Sequence, residues 1–138
     1  MLFRSFDKTI RRAWQVHRVS DELTILGSPF GADTAGQKTA LAAALEHARS
    51  TGATSALLVT HDPAMYDFAH DILQLVPQIP GTVINSVADA SVNELAGGQS
   101  RGVIILVKIG QTTRRQLAET LGAVTSGGNR VLGVALVR

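Results

Sequence analysis

Short, nearly uninterrupted apolar runs alternate along this chain with stretches whose apolar positions recur at helical spacing. Residues 22–28, 55–60, 81–87, 103–109 and 131–137 read as strands, because each is a brief apolar run bounded by turn residues. The run at 103–109 is the strongest and is expected at the centre of a sheet. Between them, residues 35–50 predict a helix with Ala40, Leu41, Ala44, Leu45 and Ala48 on one face, closed near Gly52. Pro63 suits the first turn of a second helix, carried by Met65, Phe68, Ala69, Ile72 and Leu73 toward Pro77. Residues 88–96 are helix-like, and Thr112-Thr113 caps a further helix with Leu117, Leu121 and Val124 facing inward, ending at Gly127-Gly128. Strand–helix alternation with fully apolar strands predicts an α/β three-layer sandwich, a mostly parallel sheet covered by helices on both faces.

The start of the chain departs from this rhythm. Across residues 1–18, Leu2, Phe3, Phe6, Ile10, Ala13 and Trp14 recur at roughly helical spacing beside Arg4, Lys8, Arg11, Arg12, His17 and Arg18, with Asp7 the single acid. This predicts a basic amphipathic N-terminal helix over residues 1–20, followed by one α/β domain over residues 21–138. Such a helix either packs Phe6, Ile10 and Trp14 on the domain, or serves as a docking arm toward anionic lipid or a partner. Packing with Trp14 buried and the arginines exposed is the expectation.

Composition narrows the function classes. The 138 residues are 45% hydrophobic but only 4% aromatic, so aliphatic side chains fill the interior of what is one domain by size. The absence of cysteine excludes disulfides, thiolate metal sites and cysteine catalysis. A net charge of +2 is too small to argue for nucleic acid. With neither a signal-peptide pattern nor an apolar stretch of membrane-span length, the segment reads as cytoplasmic, with the inner face of the cell membrane as its location if the basic arm meets lipid.

The chemistry concentrates after the first strand. Gly27-Ser28-Pro29-Phe30-Gly31-Ala32-Asp33-Thr34-Ala35-Gly36-Gln37-Lys38-Thr39 has the strand, glycine-containing loop, Lys-Thr, helix order of a P-loop. In a P-loop, backbone N–H groups and a lysine hold phosphates at a helix N-terminus. The standard spacing is G-x-x-x-x-G-K-[ST], and Gln37 between Gly36 and Lys38 breaks it by one residue. Forced to positive φ, a glutamine there would cost about 1 kcal/mol.

The second half adds a family resemblance. Residues 101–115, from Arg101-Gly102-Val103 through Ile109-Gly110-Gln111-Thr112-Thr113-Arg114-Arg115, and 129–137, containing Val131-Leu132-Gly133-Val134, resemble the C-terminal strands and helix of bacterial polysaccharide-export tyrosine autokinases. These are P-loop domains paired with chain-length-determinant membrane co-polymerases. The resemblance also takes in residues 24–45 and 83–90. It implies a Rossmann-like, P-loop-NTPase-like fold, and a nucleotide site in which Gly36, Lys38 and Thr39 hold phosphate and magnesium, with Asp62 and Asn85 at strand ends.

The chain departs from that family at each motif. Ala35 and Gln37 stand where the loop has Gly and Gly around an acid-bearing turn, Thr60-His61-Asp62 keeps one aspartate of an Asp-x-Asp pair, and Asn85 replaces a Walker-B-like acid. Phosphoryl transfer depends on positioning, Mg²⁺ and carboxylates, so these losses remove much of the machinery. Tyr66 is the sole tyrosine, which leaves no autophosphorylation cluster. The resemblance therefore implies a degenerate, non-catalytic or weakly nucleotide-binding regulatory relative without a cofactor, acting through contacts with a protein partner such as a membrane polysaccharide co-polymerase, or with a second copy of itself. The alternative is a divergent nucleotidase that binds Mg-ATP through Lys38 and Thr39, with Asp62.

Other candidates are weaker. His61, Asp62 and His70 include metal-ligand types, but their spacing across a turn into a helix matches no ligand pattern. Ser28 lacks the glycine arrangement of a nucleophile elbow. His17, His47, Arg114 and Arg115 read as surface residues of helices.

Overall fold

Aliphatic residues on both sides of a strand require cover on both sides, and strand β3 (Arg101–Lys108) meets that requirement at the centre of the sheet. The computed structural model describes residues 9–20, 23–26, 34–85, 95 and 97–137. Within them, β1 (Ser55–Val59), β2 (Gly81–Ile84), β3 and β4 (Arg130–Val137) form an all-parallel sheet in the order β2-β1-β3-β4. The molecule is an α/β sandwich of the Rossmann-like kind expected from the strand–helix alternation.

Alternate residues of β3 feed two separate cores. Ile104 and Leu106 pack with Leu58, Ala135, Leu41, Leu45 and Ile72 under helices α2 (Thr34–Ser50) and α3 (Tyr66–Gln74). Val103, Ile105 and Val107 pack with Leu57, Val134, Leu117 and Val124 under α4 (Arg114–Ser126), together with Ile10 and Val16 from the N-terminal segment. Each buried aliphatic side chain of this size contributes about 1.5–3 kcal/mol relative to exposure.

Local chemistry sets the helix ends. Asp62 accepts from the Ala64 amide at 3.0 Å and caps a 3-10 turn, Pro63–Met65, that leads into α3. Thr113 caps α4 by accepting from the Gln116 amide at 3.1 Å, while the Gln116 side chain accepts from the Thr113 amide at 2.9 Å. This reciprocal pair is a capping box.

Three expectations change. Among the described residues the basic N-terminal helix is α1 (Ala13–Val19), because Thr9 and Ile10 are extended against the loop after β3; residues 1–8 lie outside the described residues. The first expected strand, 22–28, is described over 23–26, where it makes one parallel bridge, Ile25 to Val134, at the outer edge of β4. The third ends at Ile84, and the helix expected over 88–96 falls outside the described residues except for Leu95.

Glycine lets residues 23–26 approach β4. A Cβ on Gly133, whose φ is +155°, would sit 2.4 Å from the Thr24 carbonyl oxygen. The bare backbone instead allows the Val134 amide to donate to Thr24 at 2.8 Å and the Leu26 amide to donate to Val134 at 2.7 Å.

Candidate functional site at the carboxyl ends of the strands

In an open α/β sheet, ligands bind beyond the carboxyl ends of the strands where the order reverses. With the order β2-β1-β3-β4, that point lies between β1 and β3. Its lips are Thr60-His61-Asp62 after β1 and residues 109–113 after β3. Residues 23–26, which lead into the P-loop-like segment, lie beyond β4 at the far edge of the sheet.

The lip after β1 is tightly committed. Buried Thr60 donates its hydroxyl to Asn85 Oδ1 at 2.8 Å, and its amide donates to the Ile84 carbonyl at 2.9 Å. Asp62 is the cap of the following turn. His61 turns beneath α4, its Nε2 2.6 Å from Thr120 Oγ1, with Nδ1 buried and lacking a hydrogen bond of its own. Burial pushes the His61 pKa down, opposed in smaller measure by the backbone at Leu106 and the Glu119 carboxylate.

The lip after β3 is occupied by the chain's own N-terminal segment. The Ile10 amide donates to the Thr112 carbonyl at 2.7 Å, and the Gly110 amide donates to the Ile10 carbonyl at 2.9 Å. Thr9 and Thr113 form an antiparallel bridge alongside. The Ile10 side chain is fully buried, which fixes the segment in place.

The residues expected to hold phosphate are distributed differently. Gly36, Gln37, Lys38 and Thr39 are all part of α2, which begins at Thr34. Gln37 is 5% exposed and donates through Nε2 to the Leu136 carbonyl at 2.6 Å. Lys38 reaches α3, its Nζ 2.6 Å from Asp71 Oδ2 and 5.6 Å from the centre of the Phe68 ring. Thr39 donates its hydroxyl back to the Ala35 carbonyl at 3.0 Å. The structure thus joins Thr60 to Asn85, while Lys38 is paired with Asp71 rather than with Asp62 or Asn85. Residues 27–33, the glycine-containing part of the loop, lie outside the described residues.

His70 and His17 each have a local partner. His70 stacks on Tyr66 at 4.8 Å between ring centres, and His17 Nε2 lies 3.1 Å from the Leu23 carbonyl oxygen. No group of three or more metal-ligating side chains occurs among the described residues. Among the same residues, no helix is long and apolar enough to cross a membrane.

Sequence reasoning missed four engagements: Gln37 with Leu136, Lys38 with Asp71, His61 with Thr120, and Ile10 with the loop after β3. The first had a signal, since Gln37, Leu41, Leu45 and Ala48 share one helical face.

No family model, curated protein or solved structure matches the chain.

Proposed function

We propose that this domain is a non-catalytic regulatory module that works by contact with another protein. The observation that carries the reading is the placement of Lys38 and Thr39 within α2, at its fifth and sixth residues. Their amides fall where helical i→i−4 bonding engages the backbone, since only the first four N–H groups of a helix lack an intrahelical partner. A phosphate cradle needs such groups free and convergent.

The Lys38–Asp71 ion pair supports the reading without locking it. Its side chains are 24% and 48% exposed, so the pair is worth at most about 1 kcal/mol and a strong anion could compete for it. The direction of the lysine across to α3 is the stronger support. Asn85, uncharged and already accepting from Thr60, is a poor partner for hydrated magnesium. The resemblance to polysaccharide-export autokinases suggests the partner class, a membrane polysaccharide co-polymerase.

The test is thermal unfolding of the chain with Mg-ATP and with Mg-ADP. A ligand at about 100 times its dissociation constant adds about 2.7 kcal/mol of stability. An unchanged midpoint is expected, and a saturable rise with either nucleotide would overturn the proposal.

A further inference from the structure

The outward face of α1 carries an aromatic and cationic cluster that the fold itself does not use. Trp14 is 54% exposed, and the Arg18 guanidinium lies 5.6 Å from the centre of its ring. Arg11 and Arg12 are exposed just before the helix, and His17 is exposed beside Arg18. None of Arg11, Arg12 and Arg18 has a carboxylate partner among the described residues. No acidic residue occurs between Thr9 and Ser20.

A single exposed tryptophan is ordinary, but Trp14 lies against a guanidinium within a run of like charges that repel one another. Ile10 and Val16, both fully buried, account for how this segment attaches to the domain. Trp14 and Arg18 point the other way, four residues apart on one helical face.

We infer that the Trp14–Arg18 face of α1, with Arg11 and Arg12, is a docking surface for a carboxylate-rich segment of a partner protein. The charge sets the sign of the partner, since three guanidiniums without a carboxylate partner among the described residues call for carboxylates, which arginine binds through two parallel hydrogen bonds. Tryptophan and arginine are also the residues that concentrate binding energy at protein interfaces.

A lipid surface fits less well. Interfacial helices bind by sinking an apolar face into the headgroup boundary. Among the described residues of this segment Ile10 and Val16 already face the core, which leaves Trp14 as the exposed large apolar side chain of α1. This inference rests on the reading of the domain as a contact module and supplies its surface. Nucleotide binding and acidic-partner binding have separate readouts, so either idea can fail alone.

Trp14 is the sole tryptophan and therefore reports on its own face. The full chain is titrated at low salt with poly-L-glutamate, and separately with phosphatidylcholine vesicles with and without phosphatidylglycerol. Arg18→Gln and Arg49→Gln remove one charge each, the latter from the end of α2 on the opposite side of the sheet. Labelled poly-L-glutamate anisotropy gives the affinity of Trp14→Ala. Unchanged unfolding midpoints for Trp14→Ala and Arg18→Gln, both at exposed positions, establish that binding alone is being read.

The expected result is a saturable change in Trp14 emission with poly-L-glutamate, reversed by salt. Arg18→Gln and Trp14→Ala should each weaken binding at least about fivefold, the threshold for an interface residue that matters. Arg49→Gln should change it little. Equal losses for Arg18→Gln and Arg49→Gln would reduce the effect to net charge and overturn the proposal. An unresponsive Trp14, or tighter binding to phosphatidylglycerol vesicles than to poly-L-glutamate, would overturn it as well.

Discussion

The Gln37 side-chain amide completes the outer edge of β4 by donating to the Leu136 carbonyl at 2.6 Å. Residues 23–26 pair with β4 around Val134, and among the described residues the Leu136 carbonyl two positions on is met by this side chain. Gln37 is therefore built into the sandwich, and no non-glycine residue takes positive φ among the described residues. The strain expected of glutamine in a P-loop is absent, because Gln37 is helical.

Replacing Gln37 by glycine restores a glycine beside Lys38 but should harm the protein. The change removes the buried side-chain donor to the Leu136 carbonyl, which costs about 1–3 kcal/mol, and costs about 1 kcal/mol more in lost helix propensity. Chemical denaturation should show a lowered midpoint. A stabilised Gln37→Gly variant would contradict this account of the residue.

Lys38→Ala should cost less than about 1 kcal/mol, as for a partly exposed ion pair. A double-mutant cycle with Asp71→Ala should give a coupling of about 0.2–1 kcal/mol, reduced by salt. A coupling near zero would mean that the pair contributes nothing to holding α2 on α3.

Of the two described residues expected to pack the N-terminal segment on the domain, Ile10 does so and Trp14 does not. Trp14 was expected to be buried, but it is 54% exposed, while Ile10 is fully enclosed. Trp14→Ala should therefore change stability by less than about 0.5 kcal/mol, whereas Ile10→Ala should cost about 2–5 kcal/mol. Denaturation midpoints for the two variants decide this, and a costlier Trp14→Ala would contradict it.

His61 should make stability fall in mild acid. Its folded pKa lies below the ordinary 6.5 because burial disfavours the charged ring. The unfolded chain therefore takes up the proton first, and the contribution of neutral His61 is present above pH 6.5 and lost as pH falls through the folded pKa. Glu119 partly opposes the shift. Unfolding measured across this window should show a downward slope toward acid that His61→Gln flattens. An unaltered slope would place the dependence elsewhere.

Much of this architecture was legible because it depends on period and polarity. The apolar run at 103–109 could satisfy a two-sided burial requirement only inside a parallel sheet, and it lies between β1 and β4. Thr113 with Gln116 announced the start of α4 through local chemistry alone. Tertiary partners were not legible. Nothing near Lys38 in sequence pointed to Asp71, and the pairing of Ile10 with Thr112 depends on contacts 102 residues apart, from residue 10 to residue 112. The P-loop-like spelling around Gly36 described a local order of residue types, whereas the side-chain directions follow from the face of α2 that packs on the sheet.

The most direct test of the central claim is titration calorimetry of the chain with Mg-ATP, run beside Lys38→Ala. Neither protein should give saturable heat. Saturable binding by the unmodified chain that disappears in Lys38→Ala would contradict it.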